Sequence, residues 1–246
     1  MYKPKTAMVL AAGMATRMRP VSQGQPKALI EVAGKALIDH ALDRLAGVGV
    51  EQAVVNTHYL GEQIERHLAG RKRPAIQISH EETILDTGGG IAKALPLLGA
   101  DPFYVVNAKI VWRGGQIEAL RRLAAIWDDA RMDALLLLQP TVTAVGYDGP
   151  GDLSMDQFGL ARFREPQEVA PFVYASIQIL HPRLFADAPQ GAYPLRPLWE
   201  RAAAAGRLHG LRHDGEWYQV ATPQGLAEAE ARLDSPGTGR ARNGTA

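Results

Sequence analysis

The chain has no cysteine in 246 residues, which excludes a disulfide framework and any thiolate metal site. It also has almost no net charge: 27 Lys and Arg against 26 Asp and Glu leave +1. Bulk electrostatic attraction to nucleic acid or to an anionic membrane therefore has no source, and neither is expected as a partner. Its basic residues are scattered apart from Arg71-Lys72-Arg73, which reads as a solvated turn. No apolar run approaches the ~18 residues that read as a membrane span. The N-terminus enters a strand without the charged, apolar and small-residue regions of a signal peptide. A soluble cytoplasmic protein is the expectation. Also missing are a Gly-x-Ser-x-Gly elbow, a Walker loop ending in Gly-Lys-Ser/Thr and a Gly-x-Gly-x-x-Gly turn, so several common enzyme classes lack support. No His/Asp/Glu spacing makes a metal site.

What is present is a chain 46% hydrophobic, enough for a sizeable core. Apolar runs and helical periodicities alternate. Thr6 to Ala11, Ala53 to Val55, Ile76 to His80, Phe103 to Val106 and Ala134 to Leu138 read as strands. Helices are expected over 37–45, 60–68, 88–98 and 117–127. This alternation predicts an α/β fold: a three-layer, Rossmann-like mixed sheet, mostly parallel, with helices on both faces. The second half is less regular. It offers an edge strand over 158–163, a β-prone run over 172–180, and a helix over 195–205. An apparent hairpin joins 208–211 to 217–220, and a last helix starts at Pro223 with Thr222 as its N-cap. The expected organisation is one domain over 1–233 and a disordered tail over 234–246 that lacks large apolar residues. Its nucleotide-binding half would cover about 1–110 and its sugar-binding half about 111–233.

Ligands of such sheets sit beyond the carboxyl ends of the strands, and the polar candidates fall there. After the first strand come Gly13, Thr16, Arg17 and Arg19, with Lys27 following. Small residues let backbone N–H groups approach an anion, and Arg and Lys offer a planar fork and a mobile charge for phosphates. The plainer reading is a surface turn with solvated cations. Thr87-Gly88-Gly89-Gly90 opens a helix and could present N–H groups to an anion, let backbone approach a flat base, or only start that helix with glycines in a tight turn. Asn107-Ala108-Lys109 ends a buried strand; Trp112 could pack on a sugar or on the core, as could Tyr174.

Taken together these residues resemble the sugar-1-phosphate nucleotidylyltransferases. The family signature, Leu-Ala-Ala-Gly-x-Gly-Thr-Arg followed by Pro and then Pro-Lys-Pro, is matched by Leu10 to Gly13, Thr16-Arg17, Pro20 and Pro26-Lys27. The likeness continues through Asn56 to Leu60, Thr87 to Gly90, Val106-Asn107, Trp112, Tyr174 to Gln178 and Val220 to Pro223. It is greatest for the N-acetylmuramate-1-phosphate uridylyltransferase branch, with mannose-1-phosphate guanylyltransferases as near relatives. The resemblance implies a nucleoside triphosphate and a sugar-1-phosphate as ligands, a role in peptidoglycan recycling, and Mg2+ as the family cofactor. Arg17 and Lys27 would be catalytic. Leu10, Ala11, Ala12, Gly13, Ala15, Thr16, Arg17, Lys27, Glu81 and Gly88 would meet the nucleotide, and Asn107, Trp112, Tyr174 and Ser176 the sugar.

The departures from that pattern are specific. Lys109 stands where the family has a magnesium-binding Asp, and Gln219 where it has the second acidic ligand. A protonated Lys cannot ligate a hard cation. Ala15 and Ser176 stand at family glycines. No metal is expected to bind as the chain is given. Two expectations follow: Lys109 neutralises charge in place of the metal, or the chain binds nucleotide with impaired turnover.

Overall fold

The computed structural model describes residues 2–14, 16–22 and 24–233. Ala15 and the tail from Asp234, both subjects of expectations above, lie outside the described residues. In chain order the elements are β1 (Thr6–Leu10), α1 (Arg19–Ser22), β2 (Glu31–Val32), β3 (Lys35–Ala36), α2 (Leu37–Gly47), β4 (Gln52–Thr57), α3 (Gly61–Leu68), β5 (Ala75–His80), α4 (Asp86–Leu98) and β6 (Phe103–Asn107). There follow β7 (Ile110–Arg113), α5 (Ala119–Ile126), β8 (Ala134–Pro140), β9 (Leu153–Met155), β10 (Ala161–Phe163), β11 (Phe172–Leu180), α6 (Arg196–Ala204), β12 (Leu208–Arg212), β13 (Glu216–Gln219) and α7 (Pro223–Leu233).

The main sheet runs β10-β9-β11-β6-β1-β4-β5, with β8 also on β11 and β12 outside β8. β1 pairs in parallel with β4 and with β6, and β4 with β5. β11 is antiparallel to both β6 and β8, so β8 and its parallel neighbour β12 run the same way as β1. Side chains alternate across each strand, and the core divides accordingly. Ala7 and Val9 pack with Val55, Val106 and the apolar stripes of α2, α3 and α5. Met8 packs on the other face with Val54, Val105, Leu136 and the helices α4 and α6. The expected three-layer α/β architecture is the one observed.

Several local expectations are corrected. Residues 208–211 and 217–220 do not form a hairpin. β12 adds to β8 in parallel, extending its leucine run, while β13 pairs antiparallel with β7 in a separate two-stranded sheet, with Trp217 opposite Trp112. The edge strand expected over 158–163 is shorter, Ala161–Phe163, and pairs with Leu153–Met155. Arg71 is not solvated: its guanidinium bridges Asp39 at 2.9 Å and Asp43, tying the turn after α3 to α2. The last helix begins as expected, with Thr222 Oγ1 accepting from the Gly225 N–H at 3.1 Å.

β11 carries a bulge. Tyr174 faces Leu138 and Gln178 faces Leu136, so four steps on β11 meet two on β8. Inside it Ser176 adopts φ +62°. A left-handed backbone costs an L-residue roughly 1–2 kcal/mol, a physical reason for the glycine that the family pattern has here.

Candidate nucleotide site

The chain passes from β1 outward through β4 and β5, then returns to pair β6 on the other side of β1. Beyond the carboxyl ends of β1 and β6 the strand order thus reverses, which is where open α/β sheets hold ligands. A cavity of about 350 Å³ lies there. Its walls are Leu10 to Gly13 and Thr16 to Met18 after β1, Lys27 and Ala28, Asn56 at the end of β4, Glu81 after β5, Ile84, Asp86 and Thr87 at the start of α4, Asn107 to Lys109 after β6, and Ala221.

The loop after β1 is held by a buried relay. The Ala11 N–H donates to Asn56 Oδ1 at 2.7 Å, and Asn56 Nδ2 donates to Glu81 Oε1 at 2.7 Å. Glu81 Oε2 accepts the Leu85 N–H at 3.0 Å, which joins the loop to the start of α4. On the other side the Ala108 N–H donates to the Leu10 carbonyl at 3.0 Å. Gly13 faces open space: among the described residues no atom outside its chain neighbours lies within 4 Å of where a Cβ would sit.

Arg17, Lys27 and Lys109 converge on this cavity from three segments. Burial, with Lys109 and Arg17 close by, pushes the Lys27 ammonium down to about 8. Burial and then Arg17 also lower Lys109, against a smaller opposing effect of Asp152. Among the described residues none of the three cations forms an ion pair. With Glu81 and Asp86 also in the wall, the cavity keeps an excess of positive charge that suits an anion.

The glycine run starts α4, the plainer of the expected readings, and its N–H groups are used by the protein itself. The Gly88 and Gly89 N–H groups both donate to the Tyr193 carbonyl, at 2.9 and 3.2 Å, so they are not available to an anion. A Cβ on Gly88 would stand 2.4 Å from the Tyr193 ring, and one on Gly89 would stand 2.2 Å from the Gly191 carbonyl oxygen. These glycines admit the 191–193 segment, and Gly88 does not line the cavity, because Tyr193 covers it. Thr87 and Asp86, just before them, do line it.

Of the sugar candidates, Asn107 lines the cavity. Trp112 does not: it is fully buried, donates its indole N–H to Glu118 at 3.1 Å, and carries the Arg44 guanidinium 5.3 Å from its ring centroid. It is a core aromatic. Tyr174 packs edge-on against Trp199, centroids 4.8 Å apart, and burial raises its phenol. Ser176 is buried beside it; neither reaches the cavity lining. Asn56, Ile84, Asp86 and Ala221 line the cavity without having been assigned a role from sequence. For Asn56 the available signal was an amide ending a buried strand next to β1.

The residues present do not suit a divalent cation. The two family positions hold an ammonium and an amide, and Gln219 does not line the cavity. Among the described residues no group of three His, Asp or Glu could hold a metal ion. Hard cations need several anionic or neutral oxygens, whereas Lys109 shares its cavity with Arg17 and Lys27.

An α/β sheet with a cation-lined cavity at its switch point defines a nucleotide- or phosphate-binding protein of the doubly wound class. The comparisons narrow this. The family model for nucleotidyl transferases matches residues 6–173. The chain is 48% identical to the N-acetylmuramate alpha-1-phosphate uridylyltransferase of Caulobacter vibrioides, over 94% of this chain and 97% of that protein. It is 32% identical to the protein of that name from Neisseria meningitidis serogroup B, over 92% and 96%. A crystal structure of a glucose-1-phosphate thymidylyltransferase from Bacillus anthracis superposes with a TM-score of 0.79 at 15% identity, covering 96% of this chain and 97% of that one, and so shares the fold. The chain belongs to the nucleotidyl transferase family.

Proposed function

We propose that the chain is a sugar-1-phosphate nucleotidylyltransferase that joins UTP to N-acetylmuramate 1-phosphate. A phosphate oxygen of the sugar phosphate attacks the α-phosphorus of the triphosphate. The bond from that phosphorus to the bridging oxygen breaks, and pyrophosphate leaves with its electron pair. No proton transfer or covalent enzyme intermediate is required, so the protein's work is alignment and charge stabilisation. The observation that carries this reading is the convergence of Arg17 and Lys27 beneath the loop after β1, in a chain similar along nearly its whole length to two uridylyltransferases.

In this reading the Leu10 to Gly13 backbone receives the nucleoside and Glu81 sits by the base. Arg17 takes the β- and γ-phosphates and stabilises the leaving pyrophosphate. Lys27 bridges the α-phosphate and the incoming phosphate, and Asn107 meets the sugar. Tyr174 and Ser176 would shape the sugar side from behind the wall. The catalytic unit spans 1–233, with its nucleotide half about 1–110 and its sugar half about 111–233. It would act in the cytoplasm, on a sugar derived from peptidoglycan. No helix among the described residues is long and apolar enough to cross a membrane.

Pyrophosphate release from UTP or GTP, paired with a panel of sugar-1-phosphates, tests the proposal. Release greatest with UTP and N-acetylmuramate 1-phosphate is expected. Preference for GTP with mannose 1-phosphate would move the substrate assignment. A chain that binds UTP but releases nothing with any pair would be a binding homologue rather than an enzyme.

A further inference from the structure

Lys109 occupies a fixed position. Its N–H donates to the Asn107 carbonyl at 2.7 Å and its carbonyl accepts from the Val220 N–H at 3.0 Å. The preceding residue, Ala108, is bonded to Leu10 at the root of the loop after β1. The side chain therefore starts from a backbone clamped between two sheets and ends in the same cavity as Arg17 and Lys27. None of the three cations is paired with a carboxylate among the described residues. Crowding three like charges in a partly dry cavity is costly, and Glu81 and Asp86 in the wall, with Asp152 acting on Lys109, offset only part of it. A ligand carrying several negative charges reverses the sign of that term.

We infer that the Lys109 ammonium takes the place of a divalent cation, so that this cavity binds the metal-free triphosphate directly through Arg17, Lys27 and Lys109. The inference rests on the nucleotide reading above and concerns the ionic form of that ligand. A magnesium-bound triphosphate has two fewer negative charges, and the metal occupies oxygens that the cations would otherwise contact. It suits a site that offers carboxylates to the metal. Three cations suit the bare anion, because each gains a charge-assisted hydrogen bond and none competes with a metal ion for a phosphate oxygen. Magnesium in solution should therefore compete for the ligand instead of assisting its binding.

Calorimetric titration of the full chain with UTP, in excess EDTA and in millimolar magnesium, tests this. Binding in EDTA about tenfold tighter than in magnesium is expected, a difference of about 1.4 kcal/mol. Lys109→Met should lose about tenfold in EDTA, whereas Lys109→Arg, which keeps the charge, should retain most of the affinity. Lys109→Asp should bind UTP only when magnesium is added. Binding by the unaltered chain that requires magnesium, or unchanged affinity of Lys109→Met in EDTA, would overturn the inference. The first of those results would leave the nucleotide reading standing. Inorganic tripolyphosphate separates the two ideas further. If it binds in EDTA and UTP does not, the metal-free anion site holds and the nucleoside assignment fails. If neither anion binds in EDTA, the inference fails.

Discussion

Gly90 and Glu81 leave no room between them: a Cβ on Gly90 would stand 2.6 Å from Glu81 Oε1 and 3.0 Å from Asn56 Nδ2. The third glycine of the run is thus shaped by the relay that holds the loop after β1. Gly90→Ala must push Glu81 or Asn56 aside and break a buried hydrogen bond, at a cost of about 1–3 kcal/mol. Thermal denaturation should show a lower midpoint, and UTP affinity should fall with it, since the Ala11 N–H would lose its anchor. A stability loss with unchanged affinity would separate the relay from the site.

The Lys27 ammonium provides a pH signature. Its value near 8 lies below the ordinary 10.5, so between those values the unfolded chain binds more protons than the folded one. Stability from this group therefore rises with pH across that window, and below about pH 8 the full penalty of the buried charge applies. Lys27→Met should raise the melting temperature of the ligand-free protein at neutral pH, by about 1–3 kcal/mol in stability. The same variant should lose nucleotide binding. In the unaltered protein UTP affinity should weaken as pH passes 8, which titrations at pH 7 and 9 would reveal.

Ser176 is a site of stored backbone strain. Ser176→Gly should stabilise the fold by roughly 0.5–1 kcal/mol, because relief of the left-handed serine outweighs the added freedom of glycine when unfolded. Denaturant melting would read this as a higher midpoint at constant slope.

Trp112 is placed by packing and not by a ligand. Trp112→Phe removes the hydrogen bond to Glu118 and part of the ring beneath Arg44, so it should destabilise by about 1–3 kcal/mol. KM for the sugar phosphate should stay unchanged in steady-state assays. A large rise in KM with normal stability would restore Trp112 to the sugar site.

What was legible in the sequence was local. The alternation of apolar runs and helical stripes carries the α/β fold, and the spacing of Gly13, Arg17 and Lys27 carries the anion loop. What escaped depends on distant partners. Ile110 to Arg113 shows no alternation of its own, and its partner β13 lies roughly a hundred residues further on, so neither strand's pairing could be read. The glycine run was ambiguous for a related reason. Glycine signals close approach, but whether by a ligand or by Tyr193 and Gly191 is settled only by tertiary structure. Trp112 stayed open between sugar and core, and Arg71 read as solvated, because the burial of the one and the ion pairs of the other to α2 depend on tertiary structure.

The bond from Val220 to Lys109 has a consequence for synthesis. Strands β1, β4, β5 and β6 are complete once residue 107 has emerged, so the nucleoside side of the cavity can assemble early on the ribosome. The backbone of Lys109, and the wall at Ala221, must wait for roughly 110 further residues. At about 5–20 residues per second that is an interval on the order of ten seconds. During it Lys109 lacks the hydrogen bond from Val220 that fixes its carbonyl. Any transcript cut short before β13 would yield a sheet with a loop that cannot bring its third charge to bear.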